Sequence, residues 1–224
     1  MPGSTPTSNH AALALLRADP NSAMAKYGFA VDSDVYTQGT LGGGCLLSAS
    51  PAGGNIFKLT ARQGSGDFLY PYVNSAEGGV GVCTIPAGQS DGVIVVTGGM
   101  NGCSLQVNKD GSNFHFYHDN NGKSLKGKLT PGTVVCRVNY RDYAGALDIG
   151  QKLVDSYLTE RVGAGYEYYC ITVHHGGKWK VYVSALIRIT TVYKPFFSRS
   201  VKTSVKYKSF TPTMTPLMTS FDDD

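Results

Sequence analysis

The apolar and polar positions divide the chain into a short helical beginning and a long, strand-rich remainder. Ala11 to Ala18 (AALALLRA) has the apolar content of a short helix. Asp19-Pro20 supplies an N-cap and a first helical position for a second helix that runs to Tyr27, with Gly28 as its stop. From Phe29 to about Cys136, apolar runs such as NIFKLTA, VGVCTI and GVIVVT alternate with glycine-rich turn signals.

The second half of the chain is predicted to contain one long helix and a further hairpin. Ala144 to Arg161 places Leu147, Val154 and Leu158 on one face, as an amphipathic helix would. The runs YEYYCITVH and WKVYVSALI then flank a turn at residues 175–178. We therefore predict an α+β fold with a β-sandwich-like core of short, mostly antiparallel strands, flanked by helices and loops.

The two ends differ in composition from the part between them. Residues 1–10, MPGSTPTSNH, are predicted to be a disordered leader, and they lack the basic and apolar regions of a Sec signal peptide. Residues 211–224, TPTMTPLMTSFDDD, are predicted to be a loose C-terminal tail. Residues 11–210 contain no internal repeat or linker, so we expect them to form a single catalytic domain.

Composition narrows the classes of function. The chain has 224 residues and a formal net charge of +4, which does not indicate nucleic-acid binding, and no apolar run is long enough to span a membrane. Its cysteines are widely spaced, without metal-ligand spacing, so we expect no metal, no cofactor and free thiols. They are Cys45, Cys83, Cys103, Cys136 and Cys170.

The stretch TGGMNGCSLQVNKDGSNFHFYHDN carries the candidate chemistry. Glycines precede Cys103, where they would let the N–H groups of Gly102 and Cys103 point at a ligand, as an oxyanion hole requires. Two histidines, His115 and His118, follow on the return strand of a predicted hairpin. They would point to opposite faces of that strand, which argues against a shared metal site.

Two hairpin registers are compatible with the sequence. A two-residue type I′ turn at Asp110-Gly111 would place Cys103 opposite His118, above an apolar floor. That floor would consist of Leu105, Val107, Phe114 and Phe116. A type I turn with a G1 bulge would instead put Cys103 on the face of His115 and Tyr117. Turn chemistry leaves both registers open. Either pairing would produce a thiolate–imidazolium pair with a lowered thiol pKa.

The stretch from Thr97 to Cys103 resembles the Cys–His glutamine deamidase toxins, namely the catalytic domain of the cytotoxic necrotizing factors and the related Burkholderia lethal factor. Their hallmark is Leu-Ser-Gly-Cys, and Met100-Asn101-Gly102-Cys103 keeps its Gly-Cys. Thr97 matches a threonine that the lethal factor carries before its cysteine. The spacing from Cys103 to His118 matches the necrotizing factors, whereas the shorter spacing of the lethal factor falls on His115. Upstream, SPAGGNIFKL is similar to a Pro-Ala-Gly-Gly turn in the lethal factor.

This resemblance implies a protein-glutamine deamidase with Cys103 as nucleophile and His118 as general acid–base, His115 being the runner-up. Thr97 would orient the imidazole through a main-chain oxygen. The implied substrate is a host protein, a Rho-type GTPase or a translation-initiation helicase, and transglutaminase activity is a variant of the same chemistry. The protein would be monomeric, secreted or injected from a bacterium, and active in the host cytosol.

Two alternatives remain open at this stage. The chain would be a cysteine peptidase if the same Cys–His pair attacked backbone amides along an extended cleft. It would be a non-catalytic, β-rich protein-binding module if Cys103 were merely a buried thiol.

Overall fold

The structure is a computed structural model that describes residues 11–32, 41–144, 154–159, 162–195, 200–209 and 217–223. The predicted leader, residues 1–10, therefore lies outside the described residues. Part of the predicted tail, residues 211–216 and 224, lies outside them as well.

Two short helices begin the described chain, as the sequence predicts. They are α1, Ala11–Ala18, and α2, Pro20–Lys26. The Asp19 carboxylate caps α2 by accepting a hydrogen bond from the Ser22 N–H at 3.0 Å, and Pro20 occupies the first helical position. The helix ends because Tyr27 is extended, so the expected stop at Gly28 is wrong: Gly28 starts the first strand.

The described strands form one large and one small sheet. The strands of the large sheet are β1 Gly28–Asp32, β2 Gly43–Gly53, β3 Ile56–Gln63, β4 Asp67–Leu69, β6 Ile94–Gly99, β10 Val162–His174, β11 Lys178–Tyr193, β12 Lys202–Ser209 and β13 Leu217–Asp222. Those of the small sheet are β5 Val80–Pro86, β7 Ser104–Asp110, β8 Asn113–Asp119 and β9 Thr133–Val138. A third helix, α3, spans Tyr140–Tyr143, and single 3₁₀ turns span Ser75–Glu77 and Asn120–Gly122.

Most neighbouring strands are antiparallel, which confirms that part of the predicted fold. The large sheet has the order β1-β3-β2-β4-β6-β10-β11-β12, with β13 also paired to β11, and the small sheet has the order β5-β8-β7-β9. The pairs β1–β3 and β4–β6 are parallel. Most strands are short, as predicted, and β10 and β11 are the longest, at 13 and 16 residues.

Two hydrophobic cores hold the layers together. The first lies inside the curl of the large sheet, where Leu13 and Leu16 of α1 pack with Leu59 and Ile171. The second lies between the two sheets and joins residues such as Cys170 of the large sheet to residues of the small one. This sheet-on-sheet packing is the predicted sandwich-like core. No helix in the described part of the chain is long and apolar enough to span a membrane.

Within the predicted long helix over Ala144–Arg161, Val154 and Asp155 are helical, and the chain leaves the helix after Asp155, earlier than expected. Ala144 ends α3, the Tyr157 N–H bonds to the Val154 carbonyl at 3.0 Å in a tight turn, and Thr159 bridges Val162 at the start of β10. Residues 145–153, 160 and 161 lie outside the described residues. A helical apolar pattern here competes with the pairing of β10 along β11, which begins at Val162.

The C-terminal end is ordered in part, which corrects the prediction of a loose tail. Strand β13 pairs with β11, and Phe221 is buried against Phe114 and Phe116. The Asp223 carboxylate accepts hydrogen bonds from Trp179 Nε1 and the Gly88 N–H, both at 2.7 Å. The buried Phe221 ring and the hydrogen bonds of the Asp223 carboxylate therefore hold this segment against the rest of the fold.

Candidate active site

The hairpin that carries the candidate residues has a register that neither predicted turn gives. Asp110 pairs with Asn113, so the two-residue loop is Gly111-Ser112. Gly111 has a φ of 57°, the positive value that a type II′ turn needs at its first central position. Both the Asp110-Gly111 turn and the bulged turn are therefore wrong.

The faces of the hairpin are nevertheless those of the first predicted register. In the structure His118 pairs with Leu105, and Val107 pairs with Phe116. The pairing is displaced by two residues, and side chains alternate with a period of two, so each keeps its face. The predicted floor of Leu105, Val107, Phe114 and Phe116 is buried in the same core as Cys103.

His118, and not His115, lies on the face of that floor. Cys103 precedes Leu105 by two residues, so the thiol and the His118 imidazole are diagonal neighbours, a relationship that spans about 7–8 Å between regular strands. His115 lies on the other face, where its Nδ1 atom is 2.9 Å from Thr84 Oγ1. The register thus places Cys103 and His118 on one face of the hairpin, on a diagonal, and His115 on the other face.

Thr97 holds the His118 ring through its side chain. The distance between Thr97 Oγ1 and His118 Nδ1 is 2.7 Å, and both residues are fully buried. The expected contact through a main-chain oxygen is therefore corrected to a contact through the hydroxyl. The second ring nitrogen, His118 Nε2, is buried and forms no hydrogen bond with the described residues.

Thr97 lies on the same face of β6 as Val95, which is buried between the two sheets, and a β-bulge begins at Thr97. Val96 pairs with Ile171 and Gly99 with Tyr169, so Thr97 and Gly98 together oppose Cys170 alone. Such an extra residue bends a strand and changes which face the following residues occupy. The two glycines after Thr97 are compatible with this irregular backbone, because they add no side chain to it.

The loop before Cys103 is a tight turn rather than an open oxyanion hole. The Cys103 N–H donates to the Met100 carbonyl at 3.1 Å, and Gly102 has a φ of 80°, as the third residue of a type II turn requires. The predicted oxyanion role of the Cys103 N–H is therefore wrong, because that donor is already bonded. Tyr143, which the sequence did not single out, contacts the carbonyl oxygens of Met100 and Cys103 with its hydroxyl.

Two asparagines that the sequence indicated only as a turn surround the sulfur. Cys103 Sγ lies 4.0 Å from Asn120 Oδ1, and the Asn121 N–H points at the same sulfur. Asn121 has a φ of 61°, and no other described non-glycine residue has a positive φ. A non-glycine residue with a positive φ has a strained backbone, and such residues are often found at functional sites. The Asn-Asn-Gly run that follows His118 and Asp119 was the signal available in the sequence.

A tyrosine-rich loop covers the pair. The Tyr72 ring meets the His118 ring edge-on at 5.3 Å, and its hydroxyl accepts a hydrogen bond from Asn120 Nδ2 at 3.3 Å. Gly81, which pairs with His118, lets this loop pass, because a Cβ atom there would lie 1.7 Å from the Pro71 carbonyl oxygen. Cys103 is consequently 1% exposed and His118 is 0% exposed.

Burial sets the charge of both groups. It raises the pKa of the Cys103 thiol, against a lowering by the Asn121 N–H, and the Asp119 charge raises that pKa further. Burial also lowers the pKa of His118 to about 4. Near neutral pH the pair is therefore a thiol and a neutral imidazole. This corrects the predicted thiolate–imidazolium pair and its lowered thiol pKa.

The other four cysteines and His174 are buried outside the Cys103–His118 pair. Cys45, Cys83, Cys136 and Cys170 are buried free thiols, and burial raises the pKa of each to about 12. His174 lies between the carboxylates of Asp91 and Asp223, at 3.2 and 3.5 Å. Among the described residues, no group of three histidine, cysteine or acidic side chains is arranged to hold a metal ion.

Comparison with known proteins gives no match: no family model fits the chain, and no curated protein matches it. The chemistry of the site is therefore inferred from its own residues and from the short motif around Cys103.

Proposed function

We propose that the chain is a protein-glutamine amidohydrolase, a deamidase that uses Cys103 as nucleophile and His118 as general acid–base. One observation carries the proposal. A buried imidazole is held at Nδ1 by the Thr97 hydroxyl, and its Nε2 atom has no hydrogen-bond partner among the described residues. It lies on the same face as a buried cysteine. A buried polar atom without a partner calls for an explanation, and a role in proton transfer is one that also accounts for the cysteine on the same face.

The proposed reaction uses a neutral pair. When Nδ1 carries the ring proton, its N–H donates a hydrogen bond to Thr97 Oγ1, and Nε2 has the lone pair that a general base needs. His118 Nε2 then takes the Cys103 proton while the sulfur attacks the carboxamide carbon of a glutamine. Catalytic hydrogen bonds of this kind often form only once the substrate is bound. Loss of the proton at the moment of attack makes a permanent thiolate unnecessary.

The remaining steps release ammonia and then hydrolyse the thioester. The tetrahedral intermediate collapses when protonated His118 gives its proton to the nitrogen, which leaves as ammonia, and a thioester to Cys103 remains. His118 next takes a proton from water, whose oxygen attacks the thioester and releases glutamate and the free thiol. We assign the Asn121 N–H to the developing oxyanion, because it already points at the sulfur.

The substrate in this proposal is a host protein. The resemblance of Thr97–Cys103 to the deamidase toxins supports a Rho-type GTPase or a translation-initiation helicase, reached after secretion or injection from a bacterium. An amine that replaces water on the thioester would give transglutaminase activity. A peptidase with the same pair would need an open cleft beside the sulfur, whereas Tyr72 covers the neighbouring imidazole.

A second candidate function is a non-catalytic, β-rich protein-binding module. The observation in its favour is that the Cys103 N–H is satisfied within its own turn and that burial raises the pKa of its thiol. The two functions differ in one experiment. Ammonia release from proteins of a cytosolic extract should depend on Cys103 in a deamidase, and Cys103→Ser should abolish it; in a binding module the wild-type protein releases none.

A further inference from the structure

The curl of the large sheet leaves a cavity of about 580 Å³ between its opposite ends. Strands β1 to β3 form one wall and strands β10 to β12 form the other, because β12 packs back towards β2 and β3. Cavities of roughly 300–1,000 Å³ are typical of small-molecule sites, and the mouths of curled sheets are frequent places for them.

This cavity is separate from the site around Cys103. Glu167 and Tyr169 line it, and they alternate along β10 with Tyr168 and Cys170, which are buried between the two sheets. The cavity therefore opens on the opposite face of the large sheet from Cys103. A ligand in this cavity would not contact Cys103 or His118, so its binding does not depend on the proposed deamidase activity.

One wall of the cavity holds a carboxylate and a guanidinium that do not hydrogen-bond to each other. Glu167 Oε2 lies 3.8 Å from Arg188 Nε, beyond hydrogen-bond distance, and it is buried with no hydrogen-bond donor among the described residues. The Tyr169 hydroxyl is bonded to the same carboxylate and lies 3.4 Å from the Tyr207 hydroxyl. Burial raises the pKa of Glu167. A buried acceptor without a donor is costly, and Arg188, its ion-pair partner, is too far away to donate, so a hydrogen-bond donor is missing at Glu167 Oε2.

The other wall contributes an ion pair, in which a lysine and an aspartate neutralise each other, and an apolar surface. Lys58 Nζ lies 3.0 Å from Asp32 Oδ2, so this pair neutralises itself. Val31, Ala52 and Val205 also line the cavity. The site thus offers a wide ion pair without a direct hydrogen bond, next to a patch suited to an apolar group.

We propose that this cavity binds a free α-amino acid with an apolar side chain. The ammonium group donates to Glu167 Oε2, and the carboxylate accepts hydrogen bonds from the Arg188 guanidinium. The side chain packs against Val31 and Val205. A zwitterion supplies a donor to the carboxylate and an acceptor to the guanidinium at once, whereas a simple anion or a simple cation supplies only one of the two.

The test is calorimetric titration of the full chain with L-phenylalanine as probe. Two further probes each lack one charge: N-acetyl-L-phenylalanine has no ammonium, and L-phenylalaninamide has no carboxylate. We expect saturable binding of L-phenylalanine and affinities at least about tenfold weaker for the other two, since each loses a charge-assisted hydrogen bond. Absence of saturable binding of L-phenylalanine would overturn the proposal, and so would equal binding of all three probes.

Variants assign the binding to the cavity. Glu167→Gln and Arg188→Gln should each weaken L-phenylalanine binding by at least about tenfold. The exposed Lys206, which lies on β12 but does not line the cavity, provides the control Lys206→Gln. Thermal unfolding of each variant shows whether it is folded. Wild-type affinity in a folded Glu167→Gln or Arg188→Gln protein contradicts the assignment. Cys103→Ser should bind L-phenylalanine normally, which separates this result from the fate of the deamidase.

Discussion

The Thr97 hydroxyl lies 2.7 Å from His118 Nδ1, and both residues are completely buried. A hydrogen bond in such a place has no competing water, so it fixes the orientation of the ring. It also leaves Nε2 as the atom that is free to exchange protons on the face of Cys103. The proposed chemistry depends on this relationship.

Thr97→Val should reduce both stability and activity. The substitution leaves His118 Nδ1 buried without a partner, which costs about 1–3 kcal/mol in the free energy of unfolding, and a loss of that size in the transition state lowers turnover by about 10–100-fold. Thr97→Ser keeps the hydroxyl and serves as the matched control. Urea unfolding and ammonia release measure the two effects. Wild-type turnover in Thr97→Val would mean that the hydroxyl has no part in the reaction.

His118 and His115 should behave differently when each is replaced by glutamine. His118→Gln removes the proposed general acid–base, so turnover should fall by about 10²–10⁴-fold. His115→Gln should stay near wild type, because His115 lies on the other face with Thr84. Ammonia release from the same protein substrate compares them. A large loss in His115→Gln with little change in His118→Gln would assign the wrong histidine to the site.

The stability of the protein should decrease as the pH falls from about 6.5 to about 4. In the unfolded chain His118 takes up a proton near its ordinary pKa of 6.5, whereas in the folded chain burial lowers that pKa to about 4. Between these values the unfolded state binds more protons, so protons favour unfolding, by up to about 1.4 kcal/mol per pH unit for one group.

The matched variant for this pH dependence is His118→Gln, which has no group to titrate. Urea unfolding of both proteins at several pH values gives the slopes. A slope that is as steep in His118→Gln as in the wild type would show that His118 is not the group responsible.

Cys103 should react slowly with iodoacetamide near pH 6, and removal of Tyr72 should accelerate it. The thiol is buried and burial raises its pKa, so little thiolate is present or accessible. Tyr72→Ala removes the ring that covers His118 and opens the site. Tyr193 has a similar exposure, 46% against 43%, and lies on β11, so Tyr193→Ala is the control. Mass spectrometry identifies the labelled cysteine; equal rates in both variants would mean that Tyr72 does not restrict access.

The sequence predicts the faces of the hairpin that carries His118 better than it predicts the strand pairing. Asp110-Gly111 and Gly111-Ser112 are both reasonable two-residue turns, and the choice between them depends on packing over the whole small sheet. The error moves the pairing by two residues, so His118 stays on the side of the apolar floor while its direct partner becomes Leu105.

Other features of the site depend on contacts between distant parts of the chain. The bulge at Thr97 and Gly98 arises where β6 pairs with the distant strand β10, and neither run indicates it alone. The pKa values follow from burial beneath Tyr72, which lies in another loop. The strand at Leu217–Asp222 was missed because its polar, proline-flanked sequence is held by β11 rather than by its own pattern.

The most direct measurement of the central claim is an unbiased search for the reaction product. Wild-type protein and the Cys103→Ser and His118→Gln variants are each incubated with a eukaryotic cytosolic extract, and tandem mass spectrometry compares glutamine-containing peptides across the samples. The account predicts conversion of glutamine to glutamate at one or a few sites with the wild-type protein, with equivalent ammonia release, and neither change with the two variants. Conversion at the same sites by Cys103→Ser, or no conversion and no ammonia release by the wild-type protein, would contradict it.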